Sequence, residues 1–277
     1  MPDREMVATH YAHNTLLEGI EAGLQELGLS RDTVSVEDLG PVDEFHIGGR
    51  VATERFLKDI ALAENDHVLD IGCGLGGASR FAAMHFNCNV AGIDLTDEYI
   101  RAGRELCDWV GLRQRIRLEQ GDATKMPFVD NEFDKAYMLH VGMNIADKAN
   151  LFSEIGRVLK PGGTLGVYDI MQVGPTELNY PVPWSTTAAG SALGTPDEYR
   201  QALEAAGFTV IAEQNRRDFA LDYYAEMQSK VAAAGRSPSL GLHIVMGEEA
   251  PTKLGNMIRG ISHGPIAPVE IIAKSVK

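Results

Sequence analysis

The chain has 277 residues, 44% of them hydrophobic and 23% charged, enough to bury a substantial core as one domain with insertions. Its 39 acidic residues outnumber 25 basic ones, and the formal net charge of -14 opposes binding to nucleic acid, whose affinity comes largely from neutralised phosphates. Cys73, Cys88 and Cys107 have no metal-ligand spacing, the polar start lacks a signal-peptide core, and no uncharged apolar run reaches spanning length; a cytoplasmic protein with reduced thiols, no metal and no membrane span is expected.

Residues 7–27 read as an amphipathic helix, with Leu16, Leu17, Ile20, Leu24 and Leu27 on helical spacing. Residues 28–43 are polar and read as a break. Phe45-His46-Ile47-Gly48-Gly49 forms a turn, and a helix is expected over 51–60. The stretch Val68-Leu69-Asp70-Ile71-Gly72-Cys73-Gly74-Leu75-Gly76-Gly77 follows: an apolar strand ending in an acid, a glycine-dense turn, then a helix over 76–85. A second strand, Asn89-Val90-Ala91-Gly92-Ile93-Asp94, also ends in an acid, 20 residues after Gly74, where a carboxylate binds ribose hydroxyls in such sheets. A helix over 97–110, capped by Thr96 or Asp97, leads to the strand 116–120 and a third acid, Asp122, before Ala123. Strand 133–140 comes next, then a helix over 147–159 with Gly162 at its C-cap, then a fifth strand ending at Asp169. Short apolar strands alternating with helices predict an α/β, Rossmann-like, doubly wound and mostly parallel sheet.

Gly72, Gly74 and Gly77 satisfy the dinucleotide pattern G-x-G-x-x-G, but a carboxylate at Asp70 would repel a pyrophosphate and suits a cation. Here the sequence resembles the class I methyltransferases that use S-adenosyl-L-methionine (SAM), strongly over 45–172 and weakly elsewhere. Around Gly74 to Arg80 and Phe45 to Gly48 it resembles two branches: the sarcosine/dimethylglycine and phosphoethanolamine N-methyltransferases, and the tocopherol and ubiquinone-type C-methyltransferases. The resemblance implies SAM as cofactor, held by Asp70, Gly72, Cys73, Gly74, Asp94, Leu95, Asp122, Ala123 and Leu139, with Asp94 on the ribose and Asp122-Ala123 at the adenine edge. It also places Tyr11 near the methyl donor and His46 in the pocket; both also read as packing residues.

Acceptor groups are expected at the strand ends, around Leu139-His140-Val141-Gly142-Met143-Asn144. No Asp/Asn-Pro-Pro-aromatic motif of DNA amino-methyltransferases stands there. His140 is the candidate base, Asp169 a partner for it or for a cationic amine, and Met143 and Asn144 acceptor contacts; a structural role for His140 and Asp169 weighs about equally. Residues 173–194, punctuated by Pro175, Pro181, Pro183, Gly190 and Gly194, read as a lid, with Trp184 placed for cation–π attraction or as a buried anchor. A helix from Pro196 closed by Gly207, a strand over 209–213, two helices over 218–233 and 247–259, and a last strand over 269–274 complete the chain. One methyltransferase domain is expected: a helical cover over 1–62, a cofactor core over 63–172, and lid and substrate-side elements over 173–277.

The expected activity is methyl transfer from SAM to a small-molecule acceptor, an amine of the sarcosine/dimethylglycine kind, with a quinol or phenol as the alternative. A nicotinamide-dependent oxidoreductase and a non-catalytic SAM-binding protein are the competing readings. Assembly as a homo-oligomer stays open.

Overall fold

The computed structural model describes residues 10, 15–235 and 238–276. Seven strands form one sheet: β1 (His67–Ile71), β2 (Asn89–Asp94), β3 (Ile116–Gln120), β4 (Phe133–Leu139), β5 (Leu159–Gln172), β6 (Phe208–Asn215) and β7 (Ile266–Ser275). Their order is β3-β2-β1-β4-β5-β7-β6. Pairs among β1 to β5 are parallel, and β7 runs antiparallel to both β5 and β6.

Side-chain alternation along the strands sorts the core into two layers. Leu69, Ile71, Ala91, Ile93, Ala136, Met138, Leu165 and Val167 face one side. There they meet α6 (Lys148–Val158) and α7 (Pro196–Ala205) through Leu151, Phe152, Ile155, Tyr199 and Leu203. Val68, Val90, Tyr137 and Tyr168 face the other side, against α3 (Gly49–Asp59), α4 (Gly77–His85) and α5 (Asp97–Trp109). Helices on both faces explain why these strands are continuous apolar runs.

Two earlier elements form the cover. α1 (Leu16–Glu26) buries Leu16, Ile20 and Leu24 against Tyr99, Ala102 and Leu106 of α5. The stretch read as a break instead holds α2 (Val36–Asp43). Its start is a capping box in which Ser35 Oγ accepts from the Asp38 backbone and Asp38 returns the bond to Ser35 N–H. An aspartate in place of the usual Glu or Gln, and Pro41 inside eight residues, hide that helix from periodicity. Leu39 and Val42 of α2 join Leu75 of the glycine turn in one cluster.

The lid connection between β5 and α7 is anchored by burial of Val182 and Trp184, and Ala192 N–H donates to Met143 O at 2.7 Å. Lys148 Nζ donates to the carbonyls of Gly142, Ile145 and Ala192 at 2.9, 2.6 and 2.8 Å, tying lid to strand end. Three more helices follow: α8 (Arg217–Ala234), α9 (His243–Met246) and α10 (Ala250–His263). No helix of the described residues is long and apolar enough to cross a membrane. Gly162, expected as a helix C-cap, lies four residues past the end of α6, at φ +74° within β5. β5 itself continues to Gln172, held there by pairing of Gln172 with Ile266, so Asp169 is not its last residue.

Candidate functional site

A cavity of about 390 Å³ lies at the carboxyl ends of β1, β2 and β4, beside the point where strand order reverses between β1 and β4. The glycine turn forms its floor. Gly72 has φ +67°, and its N–H donates to Ile93 O at 2.7 Å. A Cβ there would lie 2.4 Å from Val141 Cγ2, so the turn needs glycine both for its left-handed backbone and for space. Cys73 is buried with its sulfur against Gly92, and burial pushes its thiol well above the ordinary range; it is a packing residue of the turn.

The three acids occupy different hydrogen-bonding states. Asp94 Oδ2 accepts from Gly74 N–H at 2.9 Å and Oδ1 from Thr96 N–H at 2.8 Å, and the carboxylate lines the cavity. Thr96 stands at the N-cap of α5 without a side-chain capping bond. Asp122 Oδ1 accepts from Thr124 N–H and Oγ1 at 2.8 and 2.7 Å. Asp70 pairs with Tyr137 across β1 and β4, which puts both side chains on one face. Its Oδ2 accepts from Ser79 Oγ at 2.6 Å and Tyr137 OH at 3.0 Å. Burial raises Asp70 to about 7, against the pull of those two bonds. Leu95, Ala123 and Leu139 also line the cavity.

His46 and His140 meet on the opposite wall, ring centroids 5.9 Å apart, with Tyr168 5.1 Å from His140. His140 follows the end of β4 at φ +58°, a strained conformation for a residue with a Cβ, held by its N–H on Tyr168 O at 2.7 Å. Its Nε2 is buried with no hydrogen-bond partner, and burial with His46 nearby holds its pKa well below the usual value. His46 is lowered to about 4, mainly by burial. Its Nε2 lies 3.0 Å from Thr53 Oγ1, which also bonds Glu44 Oε2 at 2.6 Å. Glu44 is paired with Arg50 at 3.0 Å. Both imidazoles are neutral at pH 7.

Met143, Asn144 and Trp184 line the same cavity. Trp184 is also an anchor: it is 3% exposed and its Nε1 donates to Ser191 Oγ at 2.9 Å. Tyr11 lies outside the described residues. Asp169 does not line the cavity. By strand parity it faces α7, where Oδ2 accepts from Gly142 N–H at 2.8 Å and Tyr199 OH at 2.9 Å. It orients the turn after His140, not the histidine itself. Replacing Gly142 with Ala would put a Cβ 2.3 Å from Asp169 Oδ2 and 2.4 Å from Tyr199 OH. The G142A protein should lose about 1–3 kcal/mol in a urea melt through this overpacking.

Sequence reasoning passed over Leu254 and Met257, and read Tyr223, Tyr224, His243 and His263 as possible pocket residues but more as packing or surface ones. Tyr224 of α8 and Leu254 and Met257 of α10 line the cavity, whereas Tyr223, His243 and His263 do not. Only a three-dimensional arrangement brings those helices over the strand ends; spacing in the chain carries no signal for it.

Residues 68–163 match the family of methyltransferase domains. The sterol 24-C-methyltransferase of Saccharomyces cerevisiae is 31% identical over 192 residues, 63% of this chain and 50% of that one. The chain spans half or less of the length of the curated relatives it matches. Two solved structures share the fold at 19% identity. Phosphoethanolamine N-methyltransferase 2 of Haemonchus contortus, in complex with SAM, superposes with TM-score 0.75 over 99% of this chain and 60% of that one. Geranyl diphosphate C-methyltransferase of Streptomyces coelicolor superposes with TM-score 0.71 over 100% and 99%. Residues 68–163 therefore match the methyltransferase-domain family, inside a chain that shares the fold of these two methyltransferases.

Proposed function

We propose that this chain transfers the methyl group of SAM to a small-molecule acceptor. The observation that carries the reading is the cavity wall: acids end three neighbouring strands or their turns, and among the described residues no Lys or Arg lines it. Such a wall suits a phosphate-free cation and would repel the pyrophosphate of a dinucleotide, which speaks against the nicotinamide alternative. When bound, SAM supplies a methyl on a sulfonium, which passes to the acceptor's lone pair as the carbon–sulfur electrons return to sulfur. Asp94, at the cavity wall, would accept from the ribose hydroxyls. Asp122 and Ala123 border the adenine. His140, neutral and at the cavity wall, takes the proton that the acceptor releases. Apolar lid residues exclude water and align the two reactants.

Between the two acceptor classes, the placement of Asp169 favours a quinol or phenol. The carboxylate needed beside Trp184 to hold a cationic amine is behind the wall, bound to Tyr199. Calorimetry with S-adenosylhomocysteine (SAH), followed by labelled SAM with a panel of phenols and amines, tests the reading. SAH should bind, and D94A should weaken it about tenfold through loss of charge-assisted bonds. Absence of SAH binding to the wild-type chain would sink the proposal.

A further inference from the structure

We infer that the acceptor taken by this cavity is an uncharged molecule with an apolar body, carrying neither phosphate nor carboxylate. The inference rests on the methyltransferase reading above and narrows it. The acceptor half of the wall is built by Met143, Pro183, Trp184, Tyr224, Leu254 and Met257. Apart from Met143, which follows β4, these come from the lid, α8 and α10, so the C-terminal part of the chain largely sets this chemistry.

An anionic group entering that half finds no cation among the described residues. Arg50 is spent on Glu44 and the Val36 carbonyl, and Arg80 on Asp43. Lys148 donates to three carbonyls. The histidines offer no positive charge, because burial keeps both neutral. Meanwhile Asp70, Asp94 and Asp122 stand on the cofactor half, so an anion is desolvated without a partner and faces like charge. A cation fares little better. Glu44, the carboxylate nearest the histidines, already holds Arg50 and Thr53, and Asp147 caps α6 through Asn150 N–H at 3.0 Å. A neutral body that can give up one proton near His140 fits both constraints.

The experiment uses matched ligand pairs on the full chain loaded with SAH. Each pair differs in one anionic group: geraniol against geranyl diphosphate, and 4-cresol against 4-hydroxybenzoate. In a W109F background Trp184 is the remaining indole, so its quenching reports occupancy of the acceptor half, with calorimetry alongside. The neutral member of each pair should bind at least tenfold more tightly. M257R, which puts a guanidinium on the wall, should reverse that order. Equal or tighter binding of the anionic members to the wild-type cavity overturns the inference, as does failure of both neutral members to bind SAH-loaded protein. Failure of SAH itself to bind is a separate result and removes the methyltransferase reading, with this inference along with it.

Discussion

The R80M protein should be less stable than wild type by about 3–5 kcal/mol in denaturant, the cost of leaving a buried partner charge uncompensated. Arg80 is fully buried in the first turn of α4. Its guanidinium donates to Asp43, to Leu75 O at 2.7 Å and to Gly103 O at 3.4 Å, and reaches Cys107 Sγ at 3.6 Å. Burial works against the charge, but Asp43 more than restores it and holds the proton on Arg80 more tightly than usual. Substitution by Met fills the space yet strands Asp43 and the Leu75 carbonyl without donors. Because Leu75 belongs to the glycine turn and Asp43 begins the run leading to His46, SAH affinity should fall along with stability. Removing both charges is the control. A D43L/R80M protein should recover much of the loss, since an apolar pair can replace a buried ion pair at little cost. An R80M melt within about 1 kcal/mol of wild type would show that the pair holds nothing together.

That ion pair marks where the chain is hard to read. Strands β1, β2 and β4, the glycine turn and the acids at 70, 94 and 122 are legible because each is local: an apolar run, a turn residue, a carboxylate at a set distance. Arg80 looks like an exposed helix residue until α4 is seen to be buried from Gly77 to Ala83, with no solvent face left for it. Its partner lies 37 residues upstream, in a helix that the polar composition of residues 28–43 conceals. Asp169 shows the complementary difficulty. Counting residues to a strand end locates it in the sheet, but parity decides which face it takes, and the extra length that β7 pairing gives β5 was not visible locally. The acceptor wall is less legible still, because Tyr224, Leu254 and Met257 come from helices more than 80 residues beyond the strand end they cover.

SAH and SAM should bind up to a hundredfold more weakly at pH 5 than at pH 8, with Asp70 as the main cause. Burial raises this carboxyl from 3.8 to about 7, with Asp94 and Glu44 adding repulsion and the bonds from Ser79 and Tyr137 opposing the rise. A cationic ligand prefers the ionised form, so binding must expel the proton wherever the free site holds it. The cost grows as pH falls below about 7. SAM, with its sulfonium, should release more protons than SAH, and calorimetry in buffers of different ionisation enthalpy reads that release directly. Asp94 is held up in the same direction by burial, so the comparison with D70N, not the bare profile, isolates Asp70. D70N should bind more weakly at pH 8 and show a flatter profile below it. Stability carries the opposite sign. A folded-state value above the unfolded one means that the native chain holds a proton the unfolded chain has released between about pH 4 and 7. Asp70 therefore destabilises the unliganded protein increasingly as pH rises through that window, at up to ~1.4 kcal/mol per pH unit. Asp169, also raised to about 7 by burial, adds a similar slope without touching the cavity. In unliganded D70N more than half of that slope should therefore remain, because burial raises Asp43, Glu44 and Asp94 as well, while the pH dependence of SAM binding is reduced. If instead SAM affinity is unchanged from pH 5 to 8 in the wild-type chain, Asp70 is not the carboxylate that meets the cofactor's charge.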